Sequence, residues 1–205
     1  MGSIFSFQFF QHALIASVLT AVICGLVGSY IVVRRIVFVS GGITHASFGG
    51  IGLGLYLGIN PILSAAVAAV AAAFSIGKLS RTEGVREDSA IAGIWALGMA
   101  LGVLFMTLTP GYTTSLPAYL FGNILLVTTS DLLALGVLAL VLSALFILCY
   151  RPILYISFDR DFAQVRGLRV NFWERLLLVL VAVSLVLTIR SVGIMLLLSL
   201  LTLPQ

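Results

Sequence analysis

Residues Val32–Gly58 read VVRRIVFVSGGITHASFGGIGLGLYLG, and this stretch decides the fold. One apolar run stops at Arg34-Arg35, and a second is entered through Ser40, Gly41 and Gly42. Inside the second run, Gly42, Ala46, Gly50, Gly54 and Gly58 recur every four positions, so on a helix they form one ridge. A ridge with almost no side-chain bulk lets another helix backbone come close, which is the small-xxx-small mode of packing in lipid. His45 lies on the neighbouring ridge, with Gly41 before it and Gly49 after it. That spacing predicts open space one turn above and one turn below the imidazole.

The composition says what surrounds this stretch. Of 205 residues, 61% are hydrophobic and 9% charged, with a mean hydropathy of +1.22. A soluble domain carries about a quarter charged residues, so this chain cannot cover its surface with charge. The apolar runs are helix-length and lack the alternation of a barrel strand. The expectation is an all-α, polytopic transmembrane bundle. The net charge of +4 belongs to cytoplasmic loops rather than to a nucleic-acid surface. Cys24 and Cys149 lie in or beside apolar runs and read as small buried hydrophobes, not as a disulfide or a zinc pair. The first basic residue is Arg34. The basic n-region of a cleavable signal peptide is therefore missing, and the first span is expected to stay.

About seven hydrophobic segments are predicted: 9–33, 40–57, 61–78, 90–108, 131–149, 172–189 and a last one from Val192. The first carries a small-residue series at Ser17, Ala21 and Gly25, and the fourth a pair at Gly98 and Gly102. Asn60-Pro61 ends one helix and starts the next. Residues 109–130 hold Pro110, Gly111 and Pro117 and no charge. They read as a short re-entrant or interfacial helix, followed by the Thr-Thr-Ser-Asp start of the fifth span. Residues 151–175 form the largest polar loop, in which Asp159 caps a short helix carrying Phe162 and Val165, with Gly167 as its stop. Arg190-Ser191 breaks the sixth span. The last run reaches Pro204-Gln205 after about 13 residues, whereas a crossing needs about 20. The expectation is a single transmembrane domain over 1–205, incomplete at its C-terminus.

Basic residues set the orientation. Alternate loops hold Arg34 and Arg35, then Lys78, Arg81 and Arg86, then Arg151, Arg160, Arg166, Arg169 and Arg175, while the opposite loops hold only Arg190. The positive-inside rule places the rich set in the cytoplasm, and the N-terminus and Arg190 outside.

His45 is the candidate for chemistry. Apart from Cys24 it is the only ionisable group well inside a span, and such groups tend to face a bundle interior. It reads as a ligand or gate on a transport pathway, or as a histidine bonded to a neighbouring helix carbonyl. One histidine makes no metal site alone, and Ser40, Thr44 and Ser47 are weak supplements. His12 reads as an interfacial side chain, Arg34 and Arg35 as topology anchors. Arg190 reads as snorkelling to headgroups, with a pair to Asp131 as the alternative. The charges of 151–175 read as a solvated loop, or as a dock for a cytoplasmic partner. These 205 residues contain no Walker A sequence, no HExxH and no nucleophile elbow. No enzyme is expected, so energy comes from another chain or from an ion gradient.

Four pieces together resemble a known family: VVRRIVFVSGGITHASFGGIGLG (32–54), LPAYLFGNILLVTTSDL (116–132), FDRDFAQVRGLRVNFWERLLL (158–178) and SVGIMLLLSLLTLPQ (191–205). In order and spacing they resemble the permease subunit of bacterial ABC importers for zinc, manganese or iron, the ABC-3 metal permeases. The resemblance implies about eight helices in full-length members, with both termini outside the inner (cell) membrane. It implies a pore formed by two copies (a homodimer) and ATP used by separate cytoplasmic ATPase subunits. It also implies an extracytoplasmic metal-binding protein that delivers the ion, and the ion as cargo rather than any covalently bound cofactor. The family commonly places an Asp four residues before the histidine, a D-x-x-x-H on the second helix. Here His45 is carried over, but the Asp position is Gly41. The resemblance then implies a weak resting metal site, less suited to manganese, with His45 contributed by each copy. Zinc stands slightly ahead because neutral imidazole suits it.

Three other readings stand beside this one. A siderophore- or cobalamin-type ABC permease has a related helix arrangement but usually more spans. A gradient-driven carrier or channel normally holds several intramembrane charges. A membrane scaffold seldom needs a re-entrant segment.

Overall fold

The computed structural model describes residues 7–80, 85–111 and 122–204. Eight α-helices account for most of them, and no strand occurs among the described residues. They are α1 (Gln8–Val33), α2 (Val37–Leu57), α3 (Pro61–Leu79), α4 (Glu87–Leu108), α5 (Thr129–Leu148), α6 (Tyr150–Phe158), α7 (Arg160–Val165) and α8 (Val170–Thr202). Five of them, α1, α3, α4, α5 and α8, are long and apolar enough to cross a membrane. At 21 residues α2 has the length, but its six glycines, its serines and threonine and its histidine dilute its hydropathy. All seven predicted apolar segments are found in helices, the last two joined in α8.

Side chains at the helix ends explain the boundaries. Gly58, at φ 69°, closes α2, and the Ile59 N–H returns to the Gly54 carbonyl at 3.0 Å. The Asn60 carboxamide oxygen then accepts from the Ile62 and Leu63 N–H groups, with Pro61 in the first turn of α3. This is the predicted stop and start, and such a cap is worth about 1 kcal/mol. A capping box opens α5: the Asp131 N–H donates to the Thr128 hydroxyl, and the Thr128 N–H donates to the Asp131 carboxylate. Asp159 caps α7 by accepting the Phe162 N–H at 3.0 Å, and Gly167 follows at φ 78°.

Two compact units emerge. Of the described residues, the first contains those within 36–115 and 181–186. Within it α2 packs on α3 and on α4. Every residue of α2 from Val39 to Gly52 is buried, as expected of a helix without a polar face. The second contains the described residues within 1–35, 116–180 and 187–205. There α1 packs on α5 and on a short 3-10 turn, Ile124–Leu126.

The small-residue series of α1 is not its packed face, and three expectations need correction. In α1 the buried face is Ala13, Ala16, Thr20, Ile23, Cys24, Val27 and Ile31, whereas Ser17 and Ala21 of the small-residue series are exposed. Small size alone does not select the packed ridge, because apolar bulk fills a wider gap equally well. Residues 151–175 are mostly helical rather than loop, because Ile156, Ala163 and Val170 build a small core there, with Tyr155, Leu168 and Trp173 against it. The break in α8 falls at Gly193, at φ 76° and ψ 166°, not at Arg190-Ser191. Only glycine takes that conformation readily, whereas the Ser191 hydroxyl donates back to the Thr188 carbonyl and lets the helix run on. Arg190 is tied to Asp131, at 2.8 Å, rather than left to snorkel. The predicted helix within 109–130 falls largely on residues 112–121, outside the described residues.

Candidate ion site on the second helix

Two faces of α2 are used, each by a different neighbour. A Cβ atom added at Gly50 would meet the Ser64 carbonyl and the Ala65 Cα, and one at Gly54 would meet Pro61 and Ser64. This part of the predicted ridge is seated on α3. The same ridge at Gly42 touches Ile91 of α4 and Ile76 of α3, and Ala46 lies against Gly98 of α4. On the adjoining ridge a Cβ at Gly49 would sit 2.8 Å from the Gly98 carbonyl, and one at Gly52 2.5 Å from that of Gly102. Real Cβ atoms do not approach that closely. Glycine at these positions is therefore what brings the two backbones together, and dispersion over the seam is the gain.

His45 sits in this seam, 8% exposed. The indole of Trp95, from α4, stacks on its imidazole with ring centroids 4.0 Å apart and planes 9° apart. The open space predicted around the ring is therefore taken up. Trp95 closes the Gly41 side, where a Cβ would find the indole Cζ3 at 3.9 Å, and the Gly98 backbone closes the Gly49 side. At Gly41 that distance is ordinary contact, so packing alone does not demand a glycine there.

The Nδ1 atom of His45 is buried without a hydrogen-bond partner. This disfavours the reading of His45 as a histidine satisfied by a helix carbonyl. An unpaired buried polar atom costs about 1–3 kcal/mol, and one that persists asks for an explanation. The nearby hydroxyls do not supply it. Ser40 donates to the Val37 carbonyl, Thr44 to that of Ser40 and Ser47 to that of Thr44, at 2.6–2.7 Å, so each is committed to its own helix. No group of three His, Cys, Asp or Glu able to hold a metal occurs among the described residues.

The remaining candidates lie elsewhere. His12 approaches the Val127 carbonyl with Nδ1 at 3.2 Å, tying α1 to the segment before α5. Arg34 is more than a topology anchor. It pairs with Glu174 at 3.0 Å, donates to the Ile156 carbonyl at 3.0 Å, and shares Glu174 with Arg160 at 3.5 Å. Sequence reasoning missed Trp95. The signal was present in Ile91, Trp95, Gly98 and Gly102, a face of α4 at helical spacing that contains the small pair already noted.

A family pattern, the ABC 3 transport family, matches residues 6–205. The chain belongs to this family. Among relatives, a probable metal transport system membrane protein of Chlamydia pneumoniae is 43% identical over 88% of this chain and 64% of its own length. The manganese transport system membrane protein MntC of Halalkalibacterium halodurans is 34% identical over 97% of this chain and 68% of its own. A solved structure, PsaBC from Streptococcus pneumoniae in complex with Fab, matches with a TM-score of 0.85 and 30% identity, over 97% of this chain and 71% of that one. This ABC 3 family member therefore spans about two thirds of the length of such relatives.

Proposed function

We propose that this chain is the membrane-spanning permease part of an ATP-binding cassette importer that carries a divalent transition-metal ion into the cytoplasm by alternating access. The observation that carries the reading is the family match along residues 6–205. Relatives that bear metal and manganese transport names support it, as do the five helices apolar enough to cross a membrane. In this reading ATP is hydrolysed by separate cytoplasmic subunits, and an extracytoplasmic metal-binding protein delivers the ion. The chain lies in a bacterial inner membrane with its N-terminus outside, because the arginine-rich connections belong to the cytoplasmic side.

His45 is the protein's donor to the passing ion. Its buried, unpartnered Nδ1 supports this role. One imidazole is too few for a resting site, so a second copy of the chain supplies another. Gly41 offers no carboxylate. Imidazole donors alone suit zinc better than manganese, and zinc is the preferred ion.

The test uses the complete permease with its ATPase in proteoliposomes loaded with ATP, comparing zinc, manganese and iron uptake. ATP-dependent zinc uptake is expected, reduced at least tenfold by His45→Ala. Full uptake by that variant removes His45 from the pathway, and ATP-independent or absent metal uptake removes the importer reading.

A further inference from the structure

We infer that Trp95 is a positioning residue for ion transfer: its indole holds the His45 imidazole in one plane and favours the ion-bound form of the ring. The inference rests on the reading of His45 as a donor to the ion and adds a residue that no motif announces.

The geometry begins with the α2–α4 seam. Glycine contacts at Gly49–Gly98 and Gly52–Gly102 fix how the two helices lie against one another. Trp95 stands three residues before Gly98, on the same face of α4. The seam thus sets where the indole starts, and the side chain, 38% exposed, lies on His45. At 4.0 Å and 9° the two rings are in contact face to face. A ring held that way cannot swing about its side-chain bonds without breaking the stack.

Two chemical consequences follow. Imidazole nitrogens bond in the plane of the ring, and an indole lying over the ring's face does not compete for them. The stack holds the imidazole while leaving Nδ1 unpaired, whereas a carbonyl or carboxylate that oriented the ring by a hydrogen bond would occupy a nitrogen. An imidazole bound to a divalent ion also carries part of its positive charge. The face of an indole is electron-rich, and a cationic group over it is favoured. Trp95 therefore stabilises the loaded ring more than the empty one. It also stands beside Gly41, so the ring is steadied by an apolar neighbour at the place where a carboxylate is missing.

The experiment is zinc-uptake kinetics for the complete permease with its ATPase in proteoliposomes, comparing wild type, Trp95→Phe, Trp95→Ala and His45→Ala. Trp95→Ala should raise KM for zinc by about two- to thirtyfold, the range of a cation–π contact, with kcat within about twofold. Trp95→Phe keeps a ring face and should recover most of the wild-type KM. A wild-type KM in Trp95→Ala overturns the inference. So does a loss of kcat alone, or equal damage by Ala and Phe, which would mark Trp95 as packing only. If His45→Ala transports normally, the donor reading itself fails. If His45→Ala is impaired while Trp95→Ala is not, only the role of Trp95 fails.

Discussion

The two compact units hold their helices by different means. In the unit of α2, α3 and α4, the contact is backbone on backbone: Gly49 on Gly98, Gly52 on Gly102, Gly50 on Ser64 and Ala65. In the other unit, charge ties helix ends together: Arg34 to Glu174, with Arg160 beside them, and Arg190 to Asp131. Contact through glycines depends on shape and has no slack, because a single added carbon has nowhere to go. Contact through long charged side chains is adjustable and is weakened by water and salt.

That contrast can be broken at three points, taken from the largest effect down. Gly52→Ala puts a Cβ 2.5 Å from a backbone carbonyl of α4 and should destabilise the protein by about 2–3 kcal/mol. Gly25→Ala, with nothing within 4 Å, should cost nothing and gain up to about 1 kcal/mol of helix propensity. Unfolding midpoints in detergent separate the two, and equal effects would mean that the seam is not tightly packed. Next, removing the Arg34–Glu174 pair, whose side chains are 26% and 15% exposed, should show a coupling of about 1–2 kcal/mol in a double-mutant cycle of Arg34→Met and Glu174→Gln. Least, Arg190→Gln should cost about 0–1 kcal/mol, because half of that side chain is exposed. Its effect should shrink as salt is added, whereas that of Gly52→Ala should not.

The sequence carried the parts of this fold that are local. Helix caps at Asn60, Thr128 and Asp159 were legible because a cap is a contact within four residues. The ridge on α2 was legible because spacing alone puts Gly42, Ala46, Gly50 and Gly54 on one side. What lies opposite a ridge is not written in its spacing. Ser17, Ala21 and Gly25 have the same pattern, yet two of the three are exposed. The site was half legible for the same reason. His45 stood out as a polar group within an apolar run, but the indole that covers it comes from a helix about fifty residues later. Spacing predicted room above and below the imidazole, and the neighbouring helix fills it. The pairing of Arg190 with Asp131 spans 59 residues and was legible only as one of two options.

The low hydropathy of α2 bears on how the protein is made. Five helices are long and apolar enough to cross a membrane, and α2, with its six glycines and its imidazole, is not among them. Its retention is expected to depend on α3 and α4 emerging from the ribosome, because they are the helices that bury its imidazole and glycines. In a nascent chain released just after Gly58, α1 should hold while α2 slips back to the ribosomal side, whereas in one released after Thr109 α2 should stay inserted, an outcome that glycosylation mapping of staged truncations would reveal.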